Sequence, residues 1–308
     1  MTFRIGIDLG GTSAKIGLVN SSKKIIEEGS VPSADFPDAA DLAARMAEVC
    51  RRLGAGRKIA GVGIGVAGDI DSTRGIVRIS PNLGWKKVPL KWLLERRLKW
   101  PVRVDNDAKA AAWGLYNTQI PKNVKHLIVI TLGTGVGGGI ILNGLLHRGA
   151  TGSAGEIGHM NIDENGPLCN CGNRGCLETY VGRPHLEKKV RAALEGGKKS
   201  SLQALFNKDP NLITPLALSQ AAEKGDAFAL SVWNDVGRAL GIAIGDLVYL
   251  LNPQMICFTG GVSQAKELYL KPLRETLSRR AFKTPVNAVR LKVAVHAANI
   301  GVIGASLL

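Results

Sequence analysis

Phe3-Arg4-Ile5-Gly6-Ile7-Asp8-Leu9-Gly10-Gly11-Thr12 is the stretch whose reading decides the fold. Apolar residues alternate up to Asp8, as in a half-buried strand, and Gly10-Gly11-Thr12 then turns the chain. A second apolar run, Ile16–Val19, follows. Asn20-Ser21-Ser22 reads as another turn and Lys24–Val31 as a third strand, so an antiparallel meander of three strands is expected. Beyond it, Leu42, Met46, Val49 and Leu53 recur at helical spacing within Asp38–Leu53, and Gly54 ends the run. Ile59–Ala67 reads as a buried β-branched strand, Pro89–Leu98 as an amphipathic helix, Val102–Val104 as a short strand and Ala108–Tyr116 as an Ala-rich helix.

At His126 the pattern begins again. Leu127–Leu132 and Gly137–Leu142 read as strands joined by a Gly-rich turn, and a long cysteine-bearing loop follows. Helices are expected from about Leu177 to Leu251, then a strand at Met255–Thr259, a helix at Ala265–Arg280, a strand at Val289–Val295 and a helix at Asn299–Leu308. A β-meander plus a βαβ unit thus occurs twice, which makes the chain an α/β protein in two halves. The segment Asn117–Lys125, with Pro121, is the best boundary. The expected domains are residues 1–118 joined by a C-terminal helix 298–308, and residues 119–297.

Composition agrees with that size. The chain has 308 residues, 45% hydrophobic and 21% charged, the proportions of a soluble globular protein of roughly two domains. A membrane span needs about 20 consecutive apolar residues. The longest apolar stretches are broken by Gly or Asp, and Met1–Leu9 shows no leader peptide, so a cytoplasmic protein without membrane association is expected. Lys and Arg number 40 against 25 Asp and Glu, a net charge of +15. The basic residues come as scattered pairs, among them Arg51/Arg52 and Arg96/Arg97, and aromatics make only 5%. That pattern points to a solvated basic surface and away from nucleic acid.

Two turns share one design: Asp8-Leu9-Gly10-Gly11-Thr12 and Leu132-Gly133-Thr134-Gly135-Val136-Gly137. Glycines let backbone N–H groups approach an anion, Thr hydroxyls add donors, and Asp8 is placed to hold Mg²⁺. Either turn alone would also serve as a plain tight hairpin; two, each heading one half of a duplicated pattern, favour nucleotide phosphates. No P-loop pattern is present. Gly133-Thr134-Gly135-Val136-Gly137-Gly138 fits G-x-G-x-x-G but enters a strand rather than a helix, which argues against a dinucleotide fingerprint. A third turn, Gly260-Gly261, lies between strand and helix and is either a further nucleotide contact or an ordinary βα loop.

Asp105-Asn106-Asp107 falls between a strand and a helix. One acid there would be a helix cap. Two acids and an amide exceed what a cap needs, so a carboxylate that takes a proton from an attacking hydroxyl, with Asn106 fixing that hydroxyl, is expected. His159, Cys169, Cys171 and Cys176 supply the four donors of a closed, structural zinc site. Cys50 and Cys257 are isolated in apolar surroundings and read as core thiols. Glu156 and Glu178 flank the zinc donors as acceptors for a polyhydroxylated substrate or as solvated loop acids.

Together these residues resemble the ROK family of repressors, open-reading-frame proteins and sugar kinases. The carriers are Asp8-Leu9-Gly10-Gly11-Thr12, Gly65-Val66-Ala67-Gly68, Asp105-Asn106-Asp107-Ala108, Leu132 to Gly139, Glu156-Ile157-Gly158-His159 and Cys169-x-Cys171-Gly172-x-x-Gly175-Cys176-x-Glu178. The resemblance implies a two-domain actin-like (ribonuclease H-like) ATPase fold with an interdomain cleft. It implies ATP and Mg²⁺ on Asp8, Gly10, Gly11, Thr12, Gly133, Thr134, Gly135, Gly260 and Gly261, and a hexose on Gly68, Asn106, Asp107, Glu156, His159 and Glu178. Asp107 becomes the general base, zinc sits on His159, Cys169, Cys171 and Cys176, and the chain is a homodimer. Glucose is the first choice of sugar, with N-acetylmannosamine, N-acetylglucosamine, mannose and fructose as alternatives. Many members carry Lys directly after Gly-Gly-Thr; here Ser13 stands there and Lys15 follows two residues later. The second reading is a non-catalytic sugar-binding regulator; the family's repressors carry a DNA-binding segment before the first glycine turn, and the seven residues before Asp8 are expected to leave no space for it, which argues against that reading.

Overall fold

In a computed structural model, which describes residues 1–280, 282–295 and 299–308, the opening meander forms as β1 (Thr2–Leu9), β2 (Ala14–Val19) and β3 (Ile25–Val31). Asp8 faces Lys15, and Lys15 faces Ser30, so these three side chains share one row on one face of the sheet. On the opposite face Ile5, Ile7, Leu9, Ile16 and Leu18 are fully buried. They meet α1 (Ala39–Gly54), which Asp38 caps and which buries Leu42, Met46, Cys50 and Leu53.

Parallel strands complete the first sheet. β4 (Lys58–Val66) pairs with β1, and the later β8 (Val102–Asn106) pairs with β4. Between β4 and β8 lie three short antiparallel strands that the sequence pattern does not announce: β5 (Asp69–Asp71), β6 (Ile76–Ser80) and β7 (Trp85–Val88). They precede α2 (Leu90–Leu98), and β8 runs straight into α3 (Asp107–Thr118).

The second sheet repeats the first. β9 (Leu127–Leu132), β10 (Val136–Leu142) and β11 (Leu145–His147) are followed by α4 (Glu178–Val181), α5 (Arg183–Glu195), α6 (Gln203–Lys208), α7 (Pro215–Glu223) and α8 (Ala227–Leu251). Then come β12 (Met255–Thr259), α9 (Glu267–Ser278), α10 (Lys283–Ala288), β13 (Arg290–Val293) and α11 (Ile300–Ser306). The sheet orders are β3-β2-β1-β4-β8 and β11-β10-β9-β12-β13, the same arrangement twice. The helix expected over Ala265–Arg280 is shorter, because a 3-10 turn at Val262–Ala265 and a left-handed Lys266 (φ 46°) delay α9. The strand expected over Val289–Val295 narrows to β13.

Contacts divide the chain into two compact units: Met1–Lys125, Gly139–Gly155 and Ala297–Leu308 in the first, His126–Gly138 and Glu156–His296 in the second. Residues 297 and 298, where the expected domain limits fall, lie outside the described residues. In the first unit α11 lies directly on the sheet: a Cβ on Gly6 or Gly63 would stand 1.9 or 1.8 Å from a helix carbonyl oxygen. In the second unit Trp233, Leu240 and Ile244 of α8 and Phe258 of β12 are core residues. Among the described residues no helix is long and apolar enough to cross a membrane.

Candidate active site

In the first unit the glycine turn closes between Leu9 and Ala14, where the Gly10 amide donates to the Ser13 carbonyl at 3.0 Å and the Ser33 hydroxyl to the Gly10 carbonyl at 2.7 Å. Neither Gly10 nor Gly11 adopts positive φ. What Gly11 supplies is space, since a Cβ there would sit 2.7 Å from the Asn82 carbonyl oxygen. Thr12 offers its carbonyl to Ala34. Asp8 ends β1 beside this turn, and its carboxylate lies against Gly301 of α11. Burial, then the charge of Asp107, raise the Asp8 pKa, while Lys15 pulls it down.

The three polar residues between β8 and α3 divide their work. Asp105 is 1% exposed and takes the Arg148 Nε–H at 2.7 Å. Asn106 caps α3 through Oδ1, which accepts the Lys109 amide at 3.1 Å, and its Nδ2 donates to the Gly68 carbonyl at 3.2 Å. Gly68 has φ +142°, a conformation that a side chain would clash in, so glycine is required there. Asp107 accepts the Ala108 amide at 2.8 Å, meets its own backbone amide as well, and makes no ion pair among the described residues. Burial raises its pKa against the opposing pull of backbone amides and Lys109.

In the second unit Gly133, Thr134 and Gly135 join β9 to β10, with the Gly133 amide on the Gly135 carbonyl at 3.0 Å and the Arg183 amide on the Gly133 carbonyl at 3.0 Å. Val136 is the meeting point of three motifs. Its amide donates to Glu178 Oε2 at 2.8 Å, while its carbonyl stands 2.2 Å from where a Gly158 Cβ would lie. Gly135 is equally close to Glu178 Oε2, at 2.6 Å from a would-be Cβ. Glu178 therefore grips the glycine turn with one oxygen, a role that its place in the cysteine loop did not suggest. Glu156 is exposed and opens the short 3-10 turn Ile157–His159. Gly260 (φ +93°) packs on the end of β9, and the 3-10 turn that follows means no α-helix begins directly at Gly261.

The donor atoms of His159, Cys169, Cys171 and Cys176 all lie within 4.8 Å of one another. Cys169 Sγ is 3.8 Å from His159 Nδ1, and Cys171 Sγ is 3.6 Å from Cys176 Sγ. Tetrahedral zinc with bonds of about 2.0–2.3 Å separates its ligands by about 3.5–3.8 Å, so three thiols and an imidazole in this cage fit that ion. The loop folds on itself through the Cys169 amide on the Asn173 carbonyl and the Gly172 amide on the Cys169 carbonyl. Burial pushes the Cys176 thiol up to about 12, whereas the Asn173 amide holds the Cys171 thiol below its ordinary value. A metal bound here displaces thiol protons and is lost in acid. Cys50 and Cys257 are buried, as expected.

The repeated sheet is that of an α/β protein of the actin-like ATPase fold. The chain belongs to the ROK family, whose model matches residues 4–308. It is 36% identical to a glucokinase of Halalkalibacterium halodurans over 97% of this chain and 92% of that one. A ROK family glucokinase from Streptomyces griseus, solved in complex with glucose and AMPPNP, is 34% identical with a TM-score of 0.80 and covers 99% of this chain and 98% of its own. A xylose repressor of Caldicellulosiruptor bescii is 35% identical over 76% of this chain and 58% of the repressor.

Proposed function

We propose that this chain is an ATP-dependent, hexokinase-type phosphotransferase that phosphorylates glucose at its primary hydroxyl, with Asp107 as general base. The carrying observation is the division at the β8–α3 junction. Asp105 is paired with Arg148 and Asn106 caps the helix, while Asp107 keeps a buried carboxylate with a raised pKa that meets backbone amides and has no ion-pair partner among the described residues. Its glucokinase relatives, and one relative's complex with glucose and AMPPNP, support the class of reaction.

The first unit would contribute Asp8 for Mg²⁺, the turn Gly10, Gly11 and Thr12 for phosphate oxygens, and Gly68, Asn106 and Asp107 for the sugar. The second would contribute Gly133, Thr134, Gly135, Gly260 and Gly261 toward nucleotide, and Glu156, His159 and Glu178 toward sugar. Asp107 would accept the hydroxyl proton as that oxygen attacks the γ-phosphoryl group. Phosphoryl transfer depends mainly on positioning and on stabilising charge, so most of these residues orient rather than react. Zinc on His159, Cys169, Cys171 and Cys176 would supply only structure, because four protein donors leave no open position. A homodimer is the expected assembly.

A coupled assay of ADP release over glucose, mannose, fructose, N-acetylglucosamine and N-acetylmannosamine tests the proposal, with the largest kcat/KM expected for glucose. The likeness to a xylose repressor favours one other reading, a sugar-binding regulator without turnover. Sugar binding with no ADP release would select it.

A further inference from the structure

We infer that Arg148, through its ion pair with Asp105, is a positioning residue for Asn106 and Asp107; the inference rests on the kinase reading of that site. A single buried carboxylate links the two parts. Asp105 Oδ2 accepts the Arg148 Nε–H at 2.7 Å while its Oδ1 accepts the Asn106 amide at 2.8 Å. Asn106 in turn caps α3 and reaches the Gly68 carbonyl. Arg148 thus acts on the sugar-facing dipeptide at one remove.

The segment that carries Arg148 is held at its far end too. Arg78 Nη2 donates to the Thr151 carbonyl at 2.7 Å and Nη1 to Asp69 Oδ1 at 3.0 Å, and the Ser153 hydroxyl donates to that same oxygen at 2.7 Å. The Ala154 amide closes the loop on the Arg148 carbonyl at 3.0 Å. Residues 148–154 therefore form a braced loop, and two residues later the chain supplies Glu156.

Stability alone is a poor reason for such a pair, because burying the Asp105 charge offsets much of what its attraction to the part-exposed Arg148 returns. Direction is a better one. A guanidinium Nε–H points along a fixed line, whereas a Lys ammonium is a rotatable point charge. A shift of about 1 Å at a reacting group can lower the rate on the order of 10²-fold.

The test compares wild type, Arg148→Gln and Arg148→Lys by sugar and ATP kinetics, Tm and site-resolved amide exchange. Arg148→Gln should lower kcat/KM for the sugar by about 10–100-fold and leave KM for ATP within about twofold. Arg148→Lys should recover Tm while recovering only part of kcat/KM. Exchange should quicken at the Asn106, Ala108 and Lys109 amides, which are protected by these side chains, and not in β9 or β12. Kinetics that follow Tm through all three proteins, or unchanged exchange at those amides, would overturn the inference. A wild type that turns over no hexose would sink the kinase reading, and the exchange data would still decide whether Arg148 holds the dipeptide.

Discussion

Asp107 places a carboxyl group where burial disfavours charge. Burial raises its pKa, and its negative charge helps to raise that of Asp8. Because folding raises both values, their contribution to stability is full below the ordinary carboxylate value of about 3.9. It is lost as pH climbs through the folded values. Asp107→Asn keeps an oxygen for the Ala108 amide and removes the charge. It should therefore raise Tm at pH 7.5 by about 2–4 °C, roughly 1 kcal/mol, while turnover falls on the order of 10²–10⁴-fold. The gain in Tm should vanish as the buffer is brought to about pH 4. A Tm at or below that of wild type at pH 7.5 would contradict this picture of the site. The acid limb of kcat/KM should likewise lie above the usual carboxylate range. From sequence, Asp105-Asn106-Asp107 could be seen to exceed a cap. Which acid stays uncommitted could not be seen, because the partner that claims Asp105 is Arg148, 43 residues away.

At the scale of elements, the cysteine loop and the second glycine turn behave as one piece. Cys176 lies two residues before Glu178, and Glu178 holds the Val136 amide. Loss of an ion held by the cysteine loop would thus be felt at Gly133, Thr134 and Gly135 as well as at Glu178. Purified protein should contain about one zinc per chain. Cys171→Ser should lower Tm and raise KM for both sugar and ATP. A metal-free protein with both KM values unchanged would break the link. Each turn was legible as a motif, because its glycines and threonine are contiguous. Their joining through Glu178 was not, since 42 residues separate Glu178 from Val136. The small sheet β5-β6-β7 escaped for another reason. Its strands run to three to five residues, too short for a period of two to emerge, and Ile79 at 45% exposure breaks the inside-outside pattern.

For the whole molecule, the duplicated sheet was readable because strand periodicity and glycine turns recur in the same order in both halves. The return of the C-terminal helix to the first domain was expected without any periodicity to carry it; in the structure α11 rests on Gly6 and Gly63 of the first unit. The net charge of +15 also looks different in three dimensions. Arg51 on α1 donates to the Arg97 carbonyl on α2, so pairs that are scattered in sequence meet where two helices end. Basic residues there complement the negative ends of the helix dipoles, which is a structural use of the surplus. The turns near Asp8 and Gly133 draw instead on backbone groups. The most direct test of the account is ADP release by the purified chain with ATP, Mg²⁺ and glucose, with Asp107→Asn alongside. Glucose-dependent release by wild type, reduced on the order of 10²–10⁴-fold in the variant while glucose still binds, is predicted. ADP release that ignores glucose, or a variant that turns over like wild type, would contradict it.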